Sequence, residues 1–151
     1  MLQQRGLRHG VVAGRYWDMG QDQDGDRDHR YNNYISRYHL RHVDLMDLMA
    51  MYQSRANAPL DAMAKLCGFP GKLGMDGSQV YAAYKRGEIA GIRAYCETDV
   101  ANTYLLYLRF QLIRGGLDRD AYDREVATFR FWLGEQQAPH WKEFGGAWII
   151  S

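Results

Sequence analysis

Between Gly87 and the Gly115–Gly116 pair lies the longest helical pattern in the chain, and it limits the fold more than any other feature. Ile89, Ile92, Cys96, Thr103, Leu106, Phe110 and Ile113 recur at steps of three, four or seven from Ile89 to Arg114. That period is one face of an α-helix, and the two glycines stop it. A helix this long needs other elements to cover its apolar stripe. Helical patterns supply them on both sides: Leu2 to His9 closed by Gly10, Met46 to Tyr52, Leu60 to Leu66 opened by Pro59 and ended by Gly68, and Gln79 to Arg86 stopped by Gly87. Ser78 or Asp76 caps the last of these. Met46, Met49 and Met51 fall at helical spacing as core filler. A final helix runs from Asp118, its cap, to about Gln137, with Tyr122, Val126, Phe129 and Leu133 on its apolar face. Trp141, Phe144 and Trp148 in the tail then dock back on the core. Only His39 to Leu45 reads as a short strand.

Composition is compatible with this packing. At 46% hydrophobic and 25% charged, 151 residues can bury the core of one domain, and the composition is not that of a disordered chain. A net charge of +1 neither demands nor forbids a nucleic-acid partner, because a local groove is enough to hold a phosphate backbone. Cys67 and Cys96 make no CxxC pair and no disulfide framework. Two scattered thiols and seven methionines fit a reducing cytoplasm. No apolar run approaches the roughly 18–20 residues of a membrane span, and the N-terminus has no apolar signal core.

Few residues stand out for chemistry. Tyr95 and Asp99 are four apart on the long helix, so phenol and carboxylate share a face. A carboxylate binds Mg²⁺ or Mn²⁺ through oxygen, and a phenol beside it can orient a water. The bare pair is equally compatible with a structural hydrogen bond. Lys72 lies in GFPGKLGMDGS, Gly68–Ser78, where glycines let a backbone approach and lysine supplies charge. A phosphate contact and an ordinary exposed lysine are both open there. The segment is not a Walker loop: the spacing before Gly-Lys is wrong and Leu73 replaces Ser or Thr.

Other candidates fall away. Cys96 has no histidine near it in sequence and reads as a buried small hydrophobe. His39 and His42 on a strand point to opposite faces and do not chelate. In the acidic stretch Asp18–Asp28, a calcium loop begun at Asp22 puts Arg27 where Gly is needed and Asn33 where a carboxylate is needed. That stretch therefore reads as a solvated loop. Glu97 points away from Asp99 and reads as solvated, and Arg109 as locally paired.

Three blocks taken together resemble a known family. YCETDVANTYLLYLRF, Tyr95–Phe110, resembles the third motif of DnaQ-like (DEDD-type) 3′–5′ exonucleases of the tyrosine kind. HVDLMDLM, His42–Met49, resembles the stretch after the second motif in the group related to the proofreading domain of family B DNA polymerases. LDAMAKLCGFPGKLGMDGSQVYAAYKRGEI, Leu60–Ile89, resembles that group's linker, and the blocks stand in the expected order.

The resemblance implies an α/β, ribonuclease H-like exonuclease fold, incomplete here and hence mostly helical with one or two strands. Residues 1–116 are the C-terminal part of the exonuclease domain and 117–151 a C-terminal helix and tail packed on it. It also implies two-metal hydrolysis of a DNA or RNA 3′ end to nucleoside 5′-monophosphates with Mg²⁺ or Mn²⁺. Asp99 is then a metal ligand and the last of four metal-binding acids, Tyr95 positions or activates the attacking water, and Lys72 contacts nucleic acid. Asp44 is a structural or capping residue.

The family's first motif, an Asp-x-Glu, has no counterpart, and Met1 falls near the helix that follows the second. The expectation is therefore an inactive fragment, with Met1 an internal start or a truncation. Its exposed apolar faces favour self-association. The alternative is a non-catalytic remnant that binds nucleic acid or protein.

Overall fold

The computed structural model describes residues 2–20, 30–36, 38–39 and 41–149. Residues 21–29, most of the expected acidic loop, lie outside the described residues. Two units are distinct, residues 1–44 and 45–151.

In the first unit, α1 (Leu2–His9) and α2 (Gly14–Trp17) precede a run of turns. α1 ends where expected, with the Val11 N–H donating to the Gly6 carbonyl at 2.9 Å. Tyr16 stacks on Tyr34 at 5.7 Å, and Tyr34 meets His39 edge-on at 5.8 Å. Asn33 is buried, and its Oδ1 accepts from the backbone N–H groups of Ile35 and Ser36.

The strand expected at His39–Leu45 is a correction. No strand occurs among the described residues; Leu40 lies outside them, and Arg41 and His42 form a bend ahead of the helix that starts at Leu45. His39 Nδ1 accepts from the backbone N–H groups of both Arg41 and His42, each at 3.2 Å. A side chain that takes up its own backbone's donors competes with an extended ladder, and no described strand offers one.

The second unit is built around one helix. α3 (Leu45–Met49), α4 (Leu60–Leu66), α5 (Val80–Lys85), α6 (Ile89–Ile113), α7 (Arg119–Gly134) and α8 (Pro139–Ala147) follow in order. α6 touches all the others, and α7 and α8 also pack on each other. Asp118 caps α7 as expected, its Oδ1 accepting from the Ala121 N–H at 2.7 Å. The tail is a separate helix opened by Pro139 at its first turn. It docks as expected: Phe144 is fully buried and Trp148 nearly so. Their rings cross edge-to-face at 6.4 Å, and Trp148 meets Phe69 the same way at 5.9 Å. Ala64, Ala101, Leu105, Leu106 and Leu133 complete this core.

Which face of α6 turns inward differs from the periodicity. Its buried residues are Thr98, Ala101, Asn102, Leu105, Leu106 and Leu108. Ile89 and Ile113 are exposed. Apolar side chains occur around most of this helix, so spacing alone admits several stripes, and packing against α4, α7 and α8 selects one. The methionines divide likewise: Met49 packs on the core, whereas Met46 and Met51 are exposed, Met51 in a left-handed turn at φ 49°. No described helix is long and apolar enough to cross a membrane.

Candidate active site

The loop from Gly68 to Gln79 lies along α6, and two side chains fix its path. Asn102 has no exposed surface. Its Oδ1 accepts from the Gly71 N–H at 3.0 Å, and its Nδ2 donates to the Gly71 carbonyl at 2.7 Å and the Thr98 carbonyl at 3.1 Å. One amide thus satisfies both backbone groups of a buried loop residue. Asp61 on α4 holds the next residue, its Oδ1 accepting from the Lys72 N–H at 2.7 Å while Oδ2 pairs with Lys65 at 2.9 Å. Hydrogen bonding from Lys65, then from the Lys72 backbone, keeps the Asp61 pKa below its ordinary value. Gly71 is required at this point. Its φ is +73°, and a Cβ there would lie 2.5 Å from Asp61 Oδ1.

With its backbone fixed, Lys72 sends its ammonium over the Tyr95 ring, 5.6 Å from the centroid. Tyr95 and Asp99 follow each other on α6, both half-buried. The far end of the loop reaches the same phenol: a Cβ on Gly77 would lie 3.7 Å from the Tyr95 hydroxyl. Beside it, Asp76 Oδ1 accepts from the Ser78 N–H at 2.7 Å and hydroxyl at 2.6 Å. Neither residue caps α5, whose N-cap is Gln79 with no side-chain bond, because Asp76 is engaged within its own turn.

Charge is shared across this cluster. Burial, then the neighbouring Asp99 carboxylate, pushes the Tyr95 phenol above its ordinary pKa of 10.0, and Lys72 pulls it partly back. The Tyr95 phenol beside it, with Asp99 and Asp76 further off, holds Lys72 above the usual amine value. Both groups therefore keep their protons at neutral pH. Asp99 Oδ1 is buried with no hydrogen-bond partner.

Tyr95, Asp99 and Lys72 are thus brought together, while Asp44 lies exposed at the end of the first unit. An implied metal ion has one fitting donor here, the orphaned Asp99 oxygen, since a buried carboxylate oxygen without a partner is what a cation would satisfy. Among the described residues, no group of three or more His, Cys, Asp or Glu converges to complete a metal site. Asn102 and Asp61 were not singled out in the sequence. The available signal was an asparagine in mid-helix, where its side chain usually competes with the backbone.

Three other expectations change. Cys96 is exposed. Glu97 is not simply solvated: it accepts from Arg93 and from His140 of α8, both at 2.7 Å, and both lower its pKa, Arg93 first. Arg109 pairs across helices rather than locally, donating to the Tyr122 hydroxyl at 3.0 Å. Cys96, Glu97, Val100, Tyr104, Trp132 and Trp141 help line a cavity of about 690 Å³ between α6, α7 and α8.

A family model described as a predicted 3′–5′ exonuclease related to the exonuclease domain of PolB matches residues 1–148. No curated protein matches the chain, and no solved structure does.

Proposed function

The chain belongs to the family of predicted 3′–5′ exonucleases related to the exonuclease domain of PolB, and from that membership we propose that it serves a metal-dependent nuclease that removes nucleoside 5′-monophosphates from a nucleic-acid 3′ end. On this reading its helices form the helical side of a ribonuclease H-like fold, and the metal is Mg²⁺ or Mn²⁺.

Asp99 presents its unpartnered oxygen to the metal, and this orphan atom beside the Tyr95 phenol is the observation that carries the proposal. The chemistry a divalent ion would supply there is a lowered water pKa and neutralised charge at the phosphoryl oxygens. Tyr95, its pKa raised, stays protonated at neutral pH. It therefore orients the attacking water by hydrogen bonding and does not take its proton. Lys72 stays cationic and meets a phosphate of the strand.

The test is Mn²⁺-dependent release of nucleoside 5′-monophosphate from a 3′-labelled oligonucleotide by the native protein. Asp99→Ala abolishes release, and Tyr95→Phe lowers it about 10²-fold or more, within the range of a positioned acid–base group. Wild-type turnover in Asp99→Ala overturns the assignment. Salt-sensitive binding with no Mn²⁺-dependent release in the parent protein supports the alternative, a non-catalytic nucleic-acid-binding module.

A further inference from the structure

α5 follows directly on the loop that carries Lys72, and it bears two tyrosines on its outer side. Tyr81 is 66% and Tyr84 63% exposed. Three apart on a helix, they are surface neighbours. Lys85, four beyond Tyr81, sets its Nζ 4.5 Å from the Tyr81 ring centroid. The inner side of α5 is already used: Ala83 is fully buried and the helix packs on α6. Arg86 is neutralised by Glu88, its Nε and Nη2 donating to the two carboxylate oxygens at 2.6 and 2.8 Å. Lys85 has no carboxylate partner among the described residues. Four residues before Tyr81, Gly77 lies against the Tyr95 hydroxyl, so this surface continues from the candidate site.

We propose that Tyr81 and Tyr84, with Lys85, form a stacking platform for the bases of a single strand on the 5′ side of the nucleotide held at Tyr95 and Asp99. The inference rests on the nuclease reading of that site. An enzyme that removes one nucleotide after another must grip whatever base arrives next. Ring stacking does this, because every base has a π-face and no edge needs to be read. A cation with no acid to neutralise it complements the phosphate between two stacked bases. Direct base-edge readers would need amide or paired polar side chains free to bond, and the polar residues three and four positions from the rings, Ser78 and Glu88, are already engaged with Asp76 and Arg86.

The experiment is equilibrium binding of the full chain, in EDTA, to a fluorescein-labelled oligodeoxythymidylate and to an abasic strand of equal length. The double variant Tyr81→Ala/Tyr84→Ala weakens thymidylate binding roughly tenfold or more and leaves the abasic strand unaffected. The pair Tyr81→Phe/Tyr84→Phe restores parental affinity. Lys85→Ala weakens both strands and flattens the log–log salt slope by about 0.7. Both rings are exposed, so parental circular dichroism and melting are expected throughout. If the double alanine variant binds thymidylate as tightly as the parent while Lys72→Ala weakens both strands, the platform is wrong and the nuclease reading stands. If the parent binds neither strand at low salt, both fall together.

Discussion

Asn102 is a polar side chain with no exposed surface inside a 25-residue helix. Its three hydrogen bonds make burial tolerable, and their loss is expensive. Asn102→Ala leaves Gly71 without its amide partner, at about 1–3 kcal/mol for each group left unsatisfied, measurable by urea unfolding. Asp61 gives a pH signature. Its folded pKa is depressed, so its contribution is present above the ordinary value of 3.8 and is lost as pH falls through the lower folded value. Asp61→Asn is therefore less stable than the parent at pH 7, and the gap closes at more acid pH. Equality at pH 7 would mean that the carboxylate charge contributes nothing to holding Lys72. At this scale the sequence was legible where neighbours were local. Tyr95 and Asp99 meet because helix geometry fixes residues four apart. Lys72 reaches them through Asn102, 31 residues from Gly71, and no local pattern encodes such a contact.

Helix ends were easier to read than helix faces. Gly10, Gly68, Gly115 and the Asp118 cap mark boundaries close to those observed, because termination is chemistry of one or two residues. Asp118→Ala costs about 1 kcal/mol and Asp118→Asn much less, a difference thermal melts resolve. Faces depend on partners. α6 carries apolar groups around most of its circumference, so the buried side was settled by helices far along the chain, and Cys96 ended exposed rather than buried. In α7 the polar side is distinct, and the face through Tyr122, Val126, Phe129 and Leu133 matches the observed packing. α8 contributes the largest fully buried side chain, Phe144. Phe144→Ala costs about 3–5 kcal/mol, and a loss under 1 kcal/mol would show that α8 does not complete the core.

For the molecule as a whole, the core belongs to one unit. Every residue of the aromatic and leucine core lies within residues 45–151, and so do Tyr95, Asp99 and Lys72. A protein comprising residues 45–151 is expected to unfold in a single cooperative transition and to keep the helical circular dichroism of α3 to α8. A broad, non-cooperative melt would mean that residues 1–44 are needed to form that core. The short strand expected over His39–Leu45 was the least legible feature, since strands are stabilised by cross-strand neighbours and no strand occurs among the described residues. The way the loop is gripped has an evolutionary consequence. Asn102 and Asp61 hold main-chain atoms of Gly71 and Lys72, and every amino acid except proline offers the same main-chain donor and acceptor. Gly71 and Gly74 are held to glycine by left-handed backbone angles, and Leu73, Asp76 and Gln79 are tied by packing or side-chain bonds, so Lys72 is the position whose side chain can change without moving the loop. The residue facing Tyr95 can thus be exchanged while the track beneath it is inherited unaltered.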